Sequence, residues 1–282
     1  MQQRLDNKLE KQLWAAARLS FDIKPNWDYK KETNYQKAGF TGEIYYYSGG
    51  IDGIHAGLVG MAGNDLIMSF RGTDGVIDWL NDIDVQQVPY PYGHGMVHKG
   101  MLRAVDSIGQ QLYNSAKKLL QAAVGLKGHF YITGHSKGGA MATLMTGKVA
   151  ELALPFVVTF GALRVGDAAF KAAYKHTHYR YESFLDLVPH LYLSPQEQIL
   201  FPRMGTIYEK FKFLTSLPPF ESVGRRVGFK ISRKSYGKYP LETDNASGET
   251  LNSFCAVEQV LRGDITLLDE IHNKDYPEYI NF

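Results

Sequence analysis

The segment His129-Phe-Tyr-Ile-Thr-Gly134-His-Ser136-Lys-Gly138-Gly-Ala140 decides how the rest of the chain is read. A short apolar run ends in Gly134, and residues 140–152 behind it read as a helix of small side chains. Between them stands Gly-x-Ser-x-Gly, a common pattern that becomes specific when a strand runs into it and a helix leaves it. A turn that tight lifts the serine above the sheet and brings the helix close to the strand. The residues flanking the serine must then be small. Gly134 and Gly138 meet that demand, and Gly139, Ala140 and Ala142 continue the close crossing. The helix N-terminus aims free backbone N–H groups at the serine, where negative charge would develop. The segment has neither Gly-x-Gly-x-x-Gly nor a Gly-Lys-Ser/Thr ending, which argues against a phosphate loop. Ser136 is therefore singled out as a nucleophile.

Toward the N-terminus, residues 4–20 carry Leu5, Leu9, Leu13 and Ala17 at about one-turn spacing and predict a helix closed off by Pro25. Gly49-Gly50 breaks the chain after Tyr45-Tyr46-Tyr47. Residues 54–60 and 65–70 predict two strands joined across Gly63-Asn64. A loop at 71–75 and a short helical turn at 77–82 follow. Residues 88–95 hold two prolines and two glycines among aromatics and read as irregular. Met101, Val105, Ile108, Leu112, Leu119 and Leu120 give residues 99–123 the apolar side of a long helix. Residues 154–160 are almost continuously apolar, as in a parallel strand covered on both faces, and 179–183 is a weaker strand candidate. This alternation predicts a mostly parallel sheet with helices on both faces, an α/β-hydrolase fold when joined to the Ser136 turn. A single domain is expected over 1–282, with a Pro/Gly/aromatic-rich insertion at about 194–250. Strand candidates within the insertion are 206–210 and 226–231. The tail adds apolar stretches at 254–261 and 265–271.

Composition removes several classes of function. A net charge of +2 over 282 residues is too small to suggest nucleic-acid binding. The single cysteine, Cys255, rules out an intramolecular disulfide and an all-cysteine metal site, and the histidines lack metal-ligand spacing. No metal or organic cofactor is expected. No window approaches the length of a membrane span, and Met1-Gln-Gln-Arg-Leu-Asp lacks the apolar core of a signal peptide. The expectation is a soluble chain, either cytoplasmic or secreted after loss of a signal. Asn245-Ala-Ser247 fits a glycosylation pattern whose meaning depends on compartment.

A nucleophilic serine in this fold needs an acid and then a histidine later in the chain. Only His176, His178, His190 and His272 follow Ser136. The first two precede the best acid candidate, and His190 lies too close to it. His272, in Asp269-Glu-Ile-His272-Asn-Lys-Asp-Tyr276, is the expected base. Asp186 follows a predicted strand between apolar neighbours, where hydrogen bonds would hold it in the manner of a base-orienting carboxylate. Asp167 reads as a turn or helix-cap residue. Spacing favours Asp186 and leaves Asp167, Glu182, Asp264 and Asp269 open.

Several motifs, in order, resemble the class 3 lipase family, whose members include fungal triacylglycerol lipases. Gly134-His-Ser136-Lys137-Gly-Gly-Ala140 differs from the family's Gly-His-Ser-Leu-Gly-Gly-Ala at one position. Ser69-Phe-Arg71-Gly-Thr73 followed by Asp78-Trp79 is similar to its oxyanion loop, and Val97-His-Lys-Gly-Met101 to its Val-His-x-Gly-Phe. Phe160-Gly-Ala-Leu-Arg-Val-Gly166 is similar to Phe-Gly-x-Pro-Arg-Val-Gly, with Leu163 in the proline position. Asp186-Leu-Val-Pro-His190 is similar to the segment that carries the family's acid. The resemblance covers about residues 54–190 well and the last thirty loosely. It implies Ser136, Asp186 and His272 as a triad, with oxyanion donors from Thr73 and the Lys137 N–H. Arg71 and Asp82 would brace the oxyanion loop. It further implies hydrolysis of acylglycerol esters through an acyl-enzyme. Phospholipase A1, a short-chain or feruloyl-type esterase and an acyltransferase are alternatives on the same scaffold. The implied partner is a lipid or other acyl-ester substrate, with transient contact at a lipid interface.

Three departures stand out. The interval 83–96 is short and Pro/Gly-rich, so a compact aromatic flap is expected rather than a helical lid. The interval from Asp186 to His272 reads as longer than in the compact fungal members, and Phe211, Phe213, Leu214 and Leu217 would form either an acyl pocket or a satellite core. Lys137 replaces leucine at the positive end of a helix dipole, an unfavourable place for a cation by about 0.3–1 kcal/mol. Its ammonium is expected to reach a carboxylate or to add positive potential near the oxyanion, with its stem against the groove wall.

Overall fold

A computed structural model describes residues 5–73, 84–123, 125, 127–183, 186–204, 209, 212–229, 272–274, 276, 277 and 280. Nine strands are described: β1 (Ile44–Gly49), β2 (His55–Ala62), β3 (Asp65–Phe70), β4 (Gln87–Pro89), β5 (Met96–His98), β6 (Phe130–His135), β7 (Phe156–Phe160), β8 (His178–Ser183) and β9 (Arg225–Phe229). Seven form one sheet in the order β1-β2-β3-β6-β7-β8-β9, antiparallel up to β3 and parallel from there onward. β4 and β5 make a separate two-stranded ribbon. The α-helices bounded within the described residues are α1 (Asn7–Leu19), α2 (Thr33–Lys37), α3 (Lys99–Ala122), α4 (Lys137–Val149), α5 (Ala168–Ala173) and α6 (Pro195–Leu200). This is a mixed, mostly parallel sheet with helices on both faces, an α/β-hydrolase fold.

Strand alternation divides the core in two. Leu66, Met68 and Phe70 of β3 face a cluster built with Met101, Val105, Ile108 and Leu112 of α3 and Met141, Leu144 and Met145 of α4. Ile67 faces the opposite cluster, with Leu13, Ala16, Ala17 and Leu19 of α1. The period of two sets this division. α1 starts at Asp6, whose carboxylate accepts from the N–H groups of Lys8 and Leu9 at 2.9 and 3.2 Å. It is fastened to β3 by Ser69, whose hydroxyl donates to the Ala16 carbonyl at 2.9 Å and pairs with Ser20 at 2.8 Å.

Most strands and the long helix lie where periodicity puts them. β1 was not anticipated, because three tyrosines in a row show no alternation. Their rings divide nonetheless: Tyr45 and Tyr47 pack on one core and Tyr46 on the other. α4 begins at Lys137, three residues before the expected start, because Gly138 and Gly139, poor helix formers alone, permit the crossing over β6. Part of the 88–95 stretch is ordered as β4. Farther along, Leu214 joins the core and Leu217 packs against it, while Phe213 is exposed. Phe211, residues 77–82, 205–208, 210 and 230–271, with Cys255 and Asn245, lie outside the described residues.

The Ser69 hydrogen bonds are fully buried. Ser69→Ala is expected to cost about 1–2 kcal/mol, seen as a Tm lower by about 2–4 °C per kcal/mol in a chain of this size. An unchanged Tm would contradict the fastening role.

Candidate active site

Ser136 lies between β6 and α4 with φ 56° and ψ −128°, the left-handed side of backbone space that a residue with a Cβ occupies at a cost of about 1–3 kcal/mol. Its N–H donates to the Phe160 carbonyl at 2.9 Å, and its own carbonyl accepts from Gly139 at 3.0 Å. The crossing leaves no room for side chains. A Cβ on Gly134 would stand 2.3 Å from the Gly138 carbonyl carbon, and one on Gly138 would stand 2.2 Å from the Phe70 carbonyl oxygen. The Arg71–Thr73 loop runs against the same turn, since a Cβ on Gly72 would meet the His135 carbonyl at 2.7 Å.

Asp186 and His272, 86 positions apart, meet at the end of β8. His272 Nδ1 is 2.7 Å from Asp186 Oδ2, and both side chains are buried. The other carboxylate oxygen accepts from the Val188 N–H at 2.9 Å. Tyr276 also donates its hydroxyl to Asp186 Oδ2. Burial, and then the Asp186 charge, push the Tyr276 phenol well above its ordinary value, so it remains a donor. Tyr276 escaped the sequence reading, although its spacing of four from His272 is that of neighbours on one helix face. Gly161, at φ 55°, leaves room for this group: a Cβ there would stand 2.7 Å from His272 Cε1 and 2.8 Å from Asp186 Oδ2. Ser136 Oγ and His272 Nε2 are buried and make no hydrogen bond among the described residues. Catalytic hydrogen bonds are often long until substrate binds.

The other candidates have different surroundings. Asp167 caps α5, accepting from the Phe170 N–H at 2.8 Å. Burial works against ionisation of Glu182, but Arg180 and Arg226 outweigh it and hold its carboxyl below the usual value. His178 bonds Thr159 at 3.0 Å. His190 lies beside Arg164, and burial lowers its imidazole to about 4. Asp264 and Asp269 lie outside the described residues, as do Asp78, Trp79 and Asp82. Arg71 donates to the carbonyls of Ser20 and Phe21 at 3.1 and 2.9 Å, and to that of Ile23. Thr73 is half-buried at the end of that loop.

Lys137 is buried, and its ammonium donates to the Ile54 carbonyl at 2.7 Å. Burial, with the Arg71 charge added, lowers it to about 8. An unfolded lysine titrates near ~10.4. Between those values the unfolded chain holds a proton that the folded chain has lost, so stability rises with pH there, and the penalty is complete below pH 8. Lys137→Met is expected to gain stability relative to the unsubstituted chain at pH 7 and to lose that advantage by pH 10, measured by denaturant unfolding. A stability difference independent of pH would contradict this.

The geometry can be set beside known proteins. Residues 67–195 match the family Lipase (class 3). The chain is 30% identical over 152 residues to Phospholipase A1-II 3 of Oryza sativa subsp. japonica, covering 43% of this chain and 36% of that protein. It is 33% identical over 132 residues to the lipase of Rhizomucor miehei, covering 43% and 36%. The aligned part thus spans little more than a third of these relatives' lengths. In three dimensions it resembles the Rhizomucor miehei lipase in its propeptide complex, with a TM-score of 0.62 and 21% identity over 93% of this chain and 80% of that one. It also resembles a triacylglycerol lipase from Penicillium expansum, with a TM-score of 0.57 and 18% identity over 80% and 81%. The stretch that carries the nucleophile turn and Asp186, residues 67–195, is thus the part of the chain that is similar to class 3 lipases.

Proposed function

We propose that this chain hydrolyses carboxylic esters, with acylglycerols as its substrate class, using Ser136 as nucleophile, His272 as general base and Asp186 as orienting acid. The observation that carries the reading is the 2.7 Å contact from His272 Nδ1 to a buried Asp186 in a fold that sets Ser136 in a strained turn. With Nδ1 engaged by the carboxylate, Nε2 is the nitrogen left to take the serine proton. Ser136 Oγ attacks the ester carbonyl as that proton moves to His272. The tetrahedral oxyanion is stabilised by the N–H groups of Thr73 and Lys137. Collapse expels the alcohol, protonated by His272, and leaves an acyl-enzyme. Water then gives its proton to His272 and releases the acid. Asp186, fixed also by Val188 and Tyr276, holds the imidazole throughout.

Glycerophospholipids are the second reading, supported by the 30% identity to a rice protein named phospholipase A1. Emulsified triolein and phosphatidylcholine, assayed beside p-nitrophenyl esters from C2 to C16, separate the two. The lipase reading predicts turnover of long esters and of triolein. A maximum at C2–C4 with no turnover of either emulsion contradicts it. Ser136→Ala and His272→Ala are each expected to lower kcat by at least about 10⁴-fold and to abolish labelling by a fluorophosphonate. Activity near the unsubstituted level in either variant contradicts the roles assigned here. Gly161→Ala, which forces a Cβ toward His272, is expected to lower kcat by about 10²-fold. Unchanged kcat would show that the imidazole does not need its present place.

A further inference from the structure

His135, the residue before the nucleophile, has no part in the reaction written above. It is nonetheless fully buried against the base. Its ring lies over that of His272 with centroids 4.4 Å apart and planes 22° from parallel. Its Nε2 lies 3.2 Å from the His272 backbone carbonyl. That carbonyl can only accept, so Nε2 carries the hydrogen and Nδ1 does not. Nδ1 is buried without a hydrogen-bond partner among the described residues, which fits a neutral ring. The other sides of the ring are closed. Trp14 of α1 meets it edge-on at 5.4 Å, Tyr276 at 5.3 Å and 64°, and Phe21 at 6.2 Å. Trp14 in turn stacks on Tyr276 at 6.1 Å. Helix α1, the nucleophile turn and the C-terminal segment thus supply one ring cluster around the base.

The geometry points to His135 as a positioning residue for His272. Its Nε2–H anchors the His272 backbone, and its ring face steadies the imidazole and stabilises the imidazolium formed when Ser136 gives up its proton. This inference rests on the triad reading above. A neutral aromatic face attracts a cation, and more strongly in a desolvated site. A second positive charge would repel it. Burial first, and then the nearness of His272 and Arg18, keep the His135 imidazole well below its ordinary range. Among the described residues, the ionisable groups facing this pair are Asp186 and Tyr276, both hydrogen-bonded together, and Arg18. The Arg18 guanidinium lies over Phe21 at 4.3 Å. None of these needs to change protonation near neutral pH for the ring face to act.

The test compares the unsubstituted chain with His135→Leu, which loses face and donor, and His135→Phe, which keeps the face. kcat, KM and the acidic limb of kcat/KM are followed on p-nitrophenyl butyrate, with Tm as a check on folding. His135→Leu is expected to lower kcat at least about tenfold with KM within about threefold. Its acidic limb should move down by about half a pH unit, the size of one cation–π contact. His135→Phe should hold the limb within about 0.2 unit of the parent while kcat falls less. If His135→Leu does not fold, His135→Asn, also without an aromatic face, takes its place. A folded faceless variant with kcat and limb unchanged overturns the inference. So does a fall in kcat with no movement of the limb, or a Phe variant whose limb moves as far as the Leu variant's. Fluorophosphonate labelling of the unsubstituted chain separates the two claims. Labelled Ser136 with any of those results sinks the inference alone, whereas no labelling sinks the triad reading and the inference with it.

Discussion

The close crossing of β6 and α4 is the constraint from which the rest of the site follows. Backbone meets backbone there: the Phe70 carbonyl oxygen occupies the space where a Gly138 side chain would begin, and Gly138 the space of one on Gly134. With no slack between strand and helix, the linking residue is driven to φ 56°, and that residue is Ser136. The local cost is about 1–3 kcal/mol. Met141, Leu144 and Met145 of α4 are fully buried, and each such side chain is worth about 1.5–3 kcal/mol of removal from water. One or two of them offset the strain, so the turn is held by its helix and needs no help from substrate.

Two carboxylates four positions apart show how surroundings assign roles. Glu182 lies between Arg180 and Arg226, a charge-compensated arrangement that ties β8 to β9. Asp186 receives a backbone N–H, a phenol and an imidazole, and no guanidinium contacts it among the described residues. In the proposed reaction its charge orients the histidine and stabilises the positive charge arising on it. Burial makes that interaction stronger than it would be in water. The same burial keeps His135 and His190 neutral, so most histidines near the centre are shape and hydrogen bonds rather than charge.

Where periodicity and turn chemistry agree with tertiary packing, the chain was legible. β3, α3 and β7 lie within a residue or two of the reading because their apolar patterns match the layers that cover them. Asp186 and His272 could be singled out by chain order and loop position, yet only folding brings them within 2.7 Å across 86 positions. β1 was hidden because its three tyrosines serve two cores, which removes the alternation that marks a strand. The start of α4 was hidden because Gly138-Gly139 argues against a helix in isolation and is required only by the facing strand. Tyr276 carried a readable spacing from His272, but nothing in its local sequence marks a tyrosine as a carboxylate's donor. The destination of the Lys137 ammonium, a carbonyl on the β1–β2 connection, depends on a contact 83 positions away and could not be read locally.

The central claim is that Ser136 carries the acyl group between the two halves of the reaction. Rapid acid quench of the enzyme with a p-nitrophenyl ester, followed by peptide mass analysis, tests it most directly. The account predicts a burst of nitrophenol close to one equivalent, with the acyl mass on the peptide containing Ser136. Turnover with no acylated peptide, or with the acyl group on another residue, would contradict it.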